Sequence, residues 1–232
     1  MNKKTLIIAG AIIILVCLVG AFFAYQQGYL FKKEVVLTPA ELLSFFEIKN
    51  PNLTPEVVQL FEQRFEETKD ILQKNPDDFI SWLYLGVLKK GAGDYEGSRD
   101  VFIYAGQIRP QSSTPFANLA DLYAYFLNDP QKAESAIKQA ITNNPNDYNL
   151  YLSLADIYRY KFSDGEAKYE QTMREAIVKF PDNPNLIAPL AGFFRDTNQV
   201  QKAIEQYKEL LRLVPDNAEA KKDLVEMEKM KN

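Results

Sequence analysis

Two Asp-x-x-x-Tyr pairs, Asp121/Tyr125 and Asp156/Tyr160, stand 35 residues apart. An i, i+4 spacing puts acid and phenol on one face of a helix, so the two pairs predict a ladder of carboxylates and phenols. Arg159 lies beside the second pair and Arg195 follows 36 residues later. Each offers a planar guanidinium fork suited to a carboxylate or phosphate. Such groups recognise ligands by hydrogen bonds and ion pairs. Proton-transfer catalysis lacks its usual agent, because the 232-residue chain has no histidine. That excludes a Ser-His-Asp triad, a Cys-His pair and His-containing zinc sites. The single cysteine, Cys17, allows no intramolecular disulfide. Neither enzymatic activity nor a cofactor or metal is expected.

Other candidate motifs give way to simpler readings. Gly91-Ala92-Gly93-Asp94-Tyr95-Glu96-Gly97 invites a phosphate-loop assignment. Its third glycine falls one place late for the dinucleotide pattern, and neither a strand before it nor a Gly-Lys-Ser/Thr after it is present. It reads as the turn of a helix pair. The Asp/Asn clusters after several prolines lack the alternating acids and distal Glu of a calcium loop, and read as helix N-caps. Glu66 and Glu67 read as a solvated helix face. Residues 34–232 hold 23 Lys and Arg against 31 Asp and Glu, a net of −8, the wrong sign for tracking phosphates. No nucleic-acid partner is expected.

The elements that must position the acids and phenols are paced by Pro76, Pro110, Pro145, Pro181 and Pro215, spaced 34, 35, 36 and 34 residues apart. Each closes a helical stretch, and a helix–turn–helix unit of this period predicts an all-α solenoid. Residues 76–215 hold four units. Thr38-Pro39-Ala40-Glu41 and Thr54-Pro55-Glu56 read as helix starts, with Thr as N-cap and Pro at the first helical position. Residues 38–75 therefore read as N-terminal capping helices. Residues 216–232, with Ala220, Leu224 and Met227 among Lys and Glu, read as a C-terminal solvating helix.

Ahead of the repeats, Leu6 through Ala24 is an unbroken apolar run, long enough at ~1.5 Å per residue to cross a hydrocarbon core of roughly 30 Å. Residues 5–25 are assigned as a transmembrane anchor, after a short basic N-terminus at 1–4 and before a juxtamembrane linker at 26–37. Lys3 and Lys4 lie closer to the run than Lys32 and Lys33, which places the N-terminus in the cytoplasm and the repeats outside it. The alternative is a cleavable signal peptide with Val19-Gly20-Ala21 as its site; the length of the run favours an uncleaved anchor.

Aligning the units on their prolines shows Trp82-x-x-Leu85-Gly86, then Phe102-x-x-Ala105, then Pro110. The near-copies Leu119-Ala120-Asp121-Leu122-Tyr123-Ala124-Tyr125 and Leu154-Ala155-Asp156-Ile157-Tyr158-Arg159-Tyr160 follow. This spacing resembles the tetratricopeptide-repeat (TPR) family over residues 77–215. The resemblance implies that the first helix of each pair lines a concave groove that seats an extended peptide or a helix of a partner protein. On that basis the groove residues are Leu83, Val87, Asp121, Tyr125, Asn149, Asp156, Arg159, Tyr160 and Arg195, with Ile80, Ala124, Asn185 and Asp196 beside them. The lysine–asparagine clamp of the chaperone-tail-binding members is represented only by Asn118, which argues against an acidic chaperone tail as ligand. The expected function is a membrane-anchored scaffold binding a protein partner in the groove. By analogy with bacterial envelope TPR proteins, the alternative is a structural subunit of a complex for secretion, cytochrome maturation or envelope assembly, using its outer face and caps. Composition leaves the oligomeric state open.

Overall fold

A computed structural model describes residues 37–231, and Thr38–Asn232 form one compact unit. The anchor assigned to 5–25 and its flanks at 1–4 and 26–36 lie outside the described residues. Among the described residues no helix is long and apolar enough to cross a membrane. Those residues fold into eleven α-helices without a strand: α1 (Pro39–Leu43), α2 (Pro55–Lys74), α3 (Phe79–Gly91), α4 (Tyr95–Ile108), α5 (Thr114–Tyr125), α6 (Pro130–Asn143), α7 (Tyr148–Lys161), α8 (Gly165–Lys179), α9 (Pro184–Asp196), α10 (Val200–Leu213) and α11 (Ala218–Lys231).

The prolines act as the spacing predicts. Helices α2, α4, α6, α8 and α10 each end two residues before one of the five. The intervening residues, Asn75, Arg109, Asn144, Phe180 and Val214, all sit near φ −130° with positive ψ. A proline ring clashes with a helical backbone at the residue before it, so each cap leaves the α region while its N–H still reaches back one turn. Polar side chains set several starts: Asp94, Asp129, Asp147 and Asn183 accept backbone N–H groups at the heads of α4, α6, α7 and α9. At α1 the expected capping box forms in full between Thr38 and Glu41.

Consecutive helices pack in pairs, α3 with α4, α5 with α6, α7 with α8 and α9 with α10, and each pair stacks on the next. Small residues at one recurring position permit this. Gly86, Ala120, Ala155 and Ala191 are all buried, and a Cβ on Gly86 would lie 2.5 Å from the Phe102 ring. Trp82 and Phe102 are fully enclosed and fill the space that these small residues leave. Six residues after its proline, each unit places a large side chain. Where that side chain has a donor it returns to the proline carbonyl: Trp82 Nε1 donates to Pro76 O at 2.7 Å and Tyr151 Oη to Pro145 O at 3.1 Å. Asn143 ties one repeat boundary to the next by donating to Pro110 O and Ser112 O.

The N-terminal cap is more than two helices. Between α1 and α2 the chain runs as a strap over the α3–α4 turn, where the N–H groups of Lys49 and Asn50 both donate to Ala92 O, at 2.8 and 2.9 Å. Gly93 makes the close approach possible: its φ is +84°, and a Cβ there would lie 2.8 Å from Asn50 N. Beneath the strap Lys89 is buried, donating to Phe45 O at 2.7 Å and Asp94 Oδ2 at 3.1 Å, beside the stacked rings of Phe46 and Phe65. The glycine-rich stretch 91–97 is thus the turn of a helix pair and the seat of the strap.

Candidate functional site

The first helices of the repeats, α3, α5, α7 and α9, lie side by side and carry most of the groove residues expected from sequence. Their inward faces are apolar and close the core, so what remains outward is decided by residues one or two places further round each helix. On α3 that leaves Ile80, Tyr84 and Val87 exposed in a stripe at i, i+4 and i+7. Leu83, expected in the groove, instead packs half-buried against the cluster around Phe102 and Leu119. Its i+3 position from Ile80 turns it toward α4 and α5. Ala124 is likewise removed from the surface, enclosed within the α5–α6 core.

Asp121, Tyr125 and Asp156 do come together. With Ala117, Ala120, Ser153 and Ile157 they line a cleft of about 210 Å³ between α5 and α7. Lys90, one turn beyond Val87 on α3, forms an ion pair with Asp121 and lies 4.8 Å from the centre of the Phe126 ring. Asp156 makes no hydrogen bond or ion pair among the described residues. Desolvation by the cleft walls raises its pKa against the opposing pull of Arg159. The Tyr125 phenol is raised by the same desolvation and by the neighbouring Asp156, Asp121 and Tyr160. Lys161 lies over the Tyr125 ring at 4.6 Å. Tyr160 is exposed, and Asn149 is turned to its own helix cap at Asp147.

The two arginines are not free forks. Arg159 lies over the rings of Phe193, Tyr169 and Tyr160 and donates to Asp196 at 3.2 Å. Arg195 donates to Asp196 at 3.0 Å and reaches Asp223 of α11, whose carboxylate also accepts from Tyr207 Oη at 2.7 Å. Burial works against it, but the hydrogen bonds from Arg195 and Arg159 hold the Asp196 carboxyl below the usual carboxylate range. Tyr169, buried beneath Arg159, has its pKa pushed up to about 12. These pairs cross from repeat to repeat and bind α9 to its neighbours. Asn185 serves the same end, donating to Tyr148 Oη at 3.0 Å.

Sequence reasoning missed Lys90, Ser153, Lys89 and Asp223. Lys90 was legible in part, three residues after Val87 on the same helix. Lys89 was legible too: it follows Trp82 and Leu85 at i+7 and i+4, so it had to fall on the buried face. Asp223 carried no signal, since its partner Arg195 arrives from another repeat. Among the described residues no cluster of three or more His, Cys, Asp or Glu is placed to hold a metal ion.

No family model matches the chain. Among curated proteins it is similar to anaphase-promoting complex subunit 7 of Arabidopsis thaliana, 27% identical over 120 residues covering 52% of this chain and 21% of that protein. It is also similar to interferon-induced protein with tetratricopeptide repeats 2 of Homo sapiens, 29% identical over 136 residues covering 56% of this chain and 29% of that protein. The matches therefore span less than a third of these relatives. Among solved structures it resembles MamA, with TM-score 0.56 and 16% identity over 71% of this chain and 94% of that one. It also resembles YrrB, a TPR protein with an unusual peptide-binding site, with TM-score 0.52 and 12% identity over 71% and 83%. A third likeness is to PilW, a type IV pilus biogenesis factor, with TM-score 0.52 and 17% identity over 75% and 86%. The likenesses, with the 34-residue pacing and the helix pairs, establish a TPR-type solenoid fold.

Proposed function

We propose that this TPR-repeat protein is a membrane-anchored scaffold that seats a peptide segment or helix of a partner protein on the face formed by α3, α5, α7 and α9. The observation that carries the reading is where large apolar side chains remain exposed. Ile80, Tyr84 and Val87 on α3, Tyr125 on α5 and Tyr160 on α7 all stand out to solvent. Among the second helices only α8 exposes one, Val178. A patch of that kind on a soluble fold is retained for contact, and tyrosines are favoured anchors. The apolar run at 6–24 supports attachment to a bilayer, with the N-terminus cytoplasmic and the repeats on the extracytoplasmic side, as in a bacterial envelope.

A second reading makes the chain a structural subunit of a larger envelope complex. It is favoured by apolar side chains at both ends of the solenoid: Leu60 and Ile71 on α2, Val225 and Met230 on α11. The two readings separate by photo-crosslinking the full chain in native membranes, with p-benzoylphenylalanine replacing Tyr125, Tyr160, Ile71 or Val225. Adducts from 125 and 160 are expected. Adducts from 71 and 225 alone would transfer the interface to the caps. Protease accessibility in sealed vesicles tests the topology, and digestion only after lysis from the cytoplasmic side would invert it.

A further inference from the structure

The repeats supply a cation to one carboxylate of the α5–α7 cleft and leave the other without one. Lys90 stands four residues after Gly86, and its ammonium meets Asp121, the residue after Ala120. One repeat later the matching positions are Ala124 and Asp156. Ala124 is buried and has no charge to offer. Asp156 thus faces the cleft with Arg159 as the opposite charge that acts on it, and Arg159 is already engaged by Asp196 and three aromatic rings. The cleft floor, Ala117 and Ala120, is small, and its rim carries the Tyr125 and Ser153 hydroxyls as further acceptors. From this cleft the surface continues through Lys90 to Val87, Tyr84 and Ile80, all exposed on α3.

Resting on the reading of this face as a binding surface, we propose that the α5–α7 cleft receives a basic side chain, lysine or arginine, of a partner segment whose neighbouring apolar residues lie along Ile80, Tyr84 and Val87. A partner ammonium or guanidinium would complete at Asp156 the acid–base row that Lys90 completes at Asp121. It would also offset the partial desolvation that the cleft imposes on Asp156. Apolar contact along α3 contributes affinity, and the cation fixes register, since a segment shifted along the groove would leave the charge unmatched. Lys161, on the Tyr125 ring, and Lys90 flank the cleft, so the attraction is local to Asp156. An acidic segment would meet the two aspartates instead.

The test uses full-length protein in detergent, panned against a random dodecapeptide phage library, beside Asp156→Asn and Val87→Ser. Enrichment of peptides with Lys or Arg at a fixed distance from aliphatic or aromatic residues is expected. Replacing that Lys or Arg by norleucine should weaken binding by about tenfold on the wild type and by less than about twofold on Asp156→Asn. Val87→Ser should weaken every peptide without altering the preference for a cation. Circular dichroism of each variant reports that the repeats remain folded. Peptides enriched without a basic preference, or a preference that Asp156→Asn leaves intact, would overturn the proposal while leaving the groove reading standing. Absence of any enriched peptide, together with no crosslinks from positions 125 and 160, would overturn both.

Discussion

Lys89 is a buried charge and Asp156 an exposed one on the wall of a cleft, and the fold treats them in opposite ways. Lys89 is enclosed beneath the N-terminal strap, its ammonium shared between a carbonyl and a carboxylate and flanked by two phenyl rings. Asp94 is equally well provided, accepting from Lys89, Lys49 and the backbone N–H of Gly97. Nothing is left over for another molecule. Asp156 sits in an open cleft, desolvated enough for its pKa to rise, with no partner of its own. A fully satisfied buried charge holds one arrangement of the chain and reports on architecture. A half-satisfied charge at a surface costs the folded state something and is the better place to look for recognition. The arginines of α7 and α9, which sequence alone placed among the binding groups, are only half-buried, yet their charges too are taken up by partners within the fold.

The sharpest way to break this contrast is to remove Lys89. Lys89→Met leaves Asp94 Oδ2 facing a thioether while Lys49 and Gly97 still serve Oδ1, and should cost about 1.5–3 kcal/mol in urea unfolding. Adding Asp94→Asn, which keeps an N-cap, should recover part of the loss. A cost under about 1 kcal/mol for the single variant would mean that the strap is not held by this pair.

Gly93→Ala attacks the same seat through the backbone. A left-handed φ and a Cβ directed at Asn50 N should together cost about 1–3 kcal/mol. The loss should appear first as faster hydrogen exchange at Lys49 and Asn50.

Arg195→Gln tests the C-terminal pairs. It leaves the buried Asp223 accepting chiefly from Tyr207, and should cost about 1–2 kcal/mol, with α11 protecting its amides less than α9 does.

Asp156→Asn should be the mildest for the fold, changing stability by less than about 0.5 kcal/mol after solvent screening is allowed for. Its sign is the informative part. A carboxyl whose folded pKa is raised weakens the folded state at neutral pH, and the penalty fades as pH falls through that raised pKa toward the ordinary carboxylate range. The asparagine variant should therefore be slightly more stable than wild type at pH 7 and indistinguishable from it well below the usual carboxylate pKa. Lower stability at pH 7 would mean that Asp156 has a partner within the fold, and the contrast with Lys89 would dissolve.

Much of the architecture was legible because it is local. The prolines fix helix ends by a clash within two residues, Thr38 and Thr54 cap helices three residues away, and Gly86 clears space for Phe102 within one repeat. The placing of Tyr125, Asp156 and Tyr160 on one side followed from helical periodicity. Leu83 and Ala124 lie elsewhere than expected because the hydrophobic cluster around Phe102 and Leu119 takes them in. Leu83 is drawn toward α4 and α5 and Ala124 into the core of its own pair, outcomes set by packing that no single helix encodes. The strap at 44–50 was unreadable for a related reason: its hydrogen bonds run to Ala92, across more than forty residues of sequence.

The repeat period, the helix pairs, the absence of histidine chemistry and the apolar run before the repeats are all written in residue type and short-range spacing. Which charges are spent and which remain depends instead on how the repeats stack. Lys90 and Asp121, Arg159 and Asp196, Arg195 and Asp223 meet across about 30 residues of chain at distances that stacking alone sets. The cation missing opposite Asp156 becomes visible only once the others are seen in place.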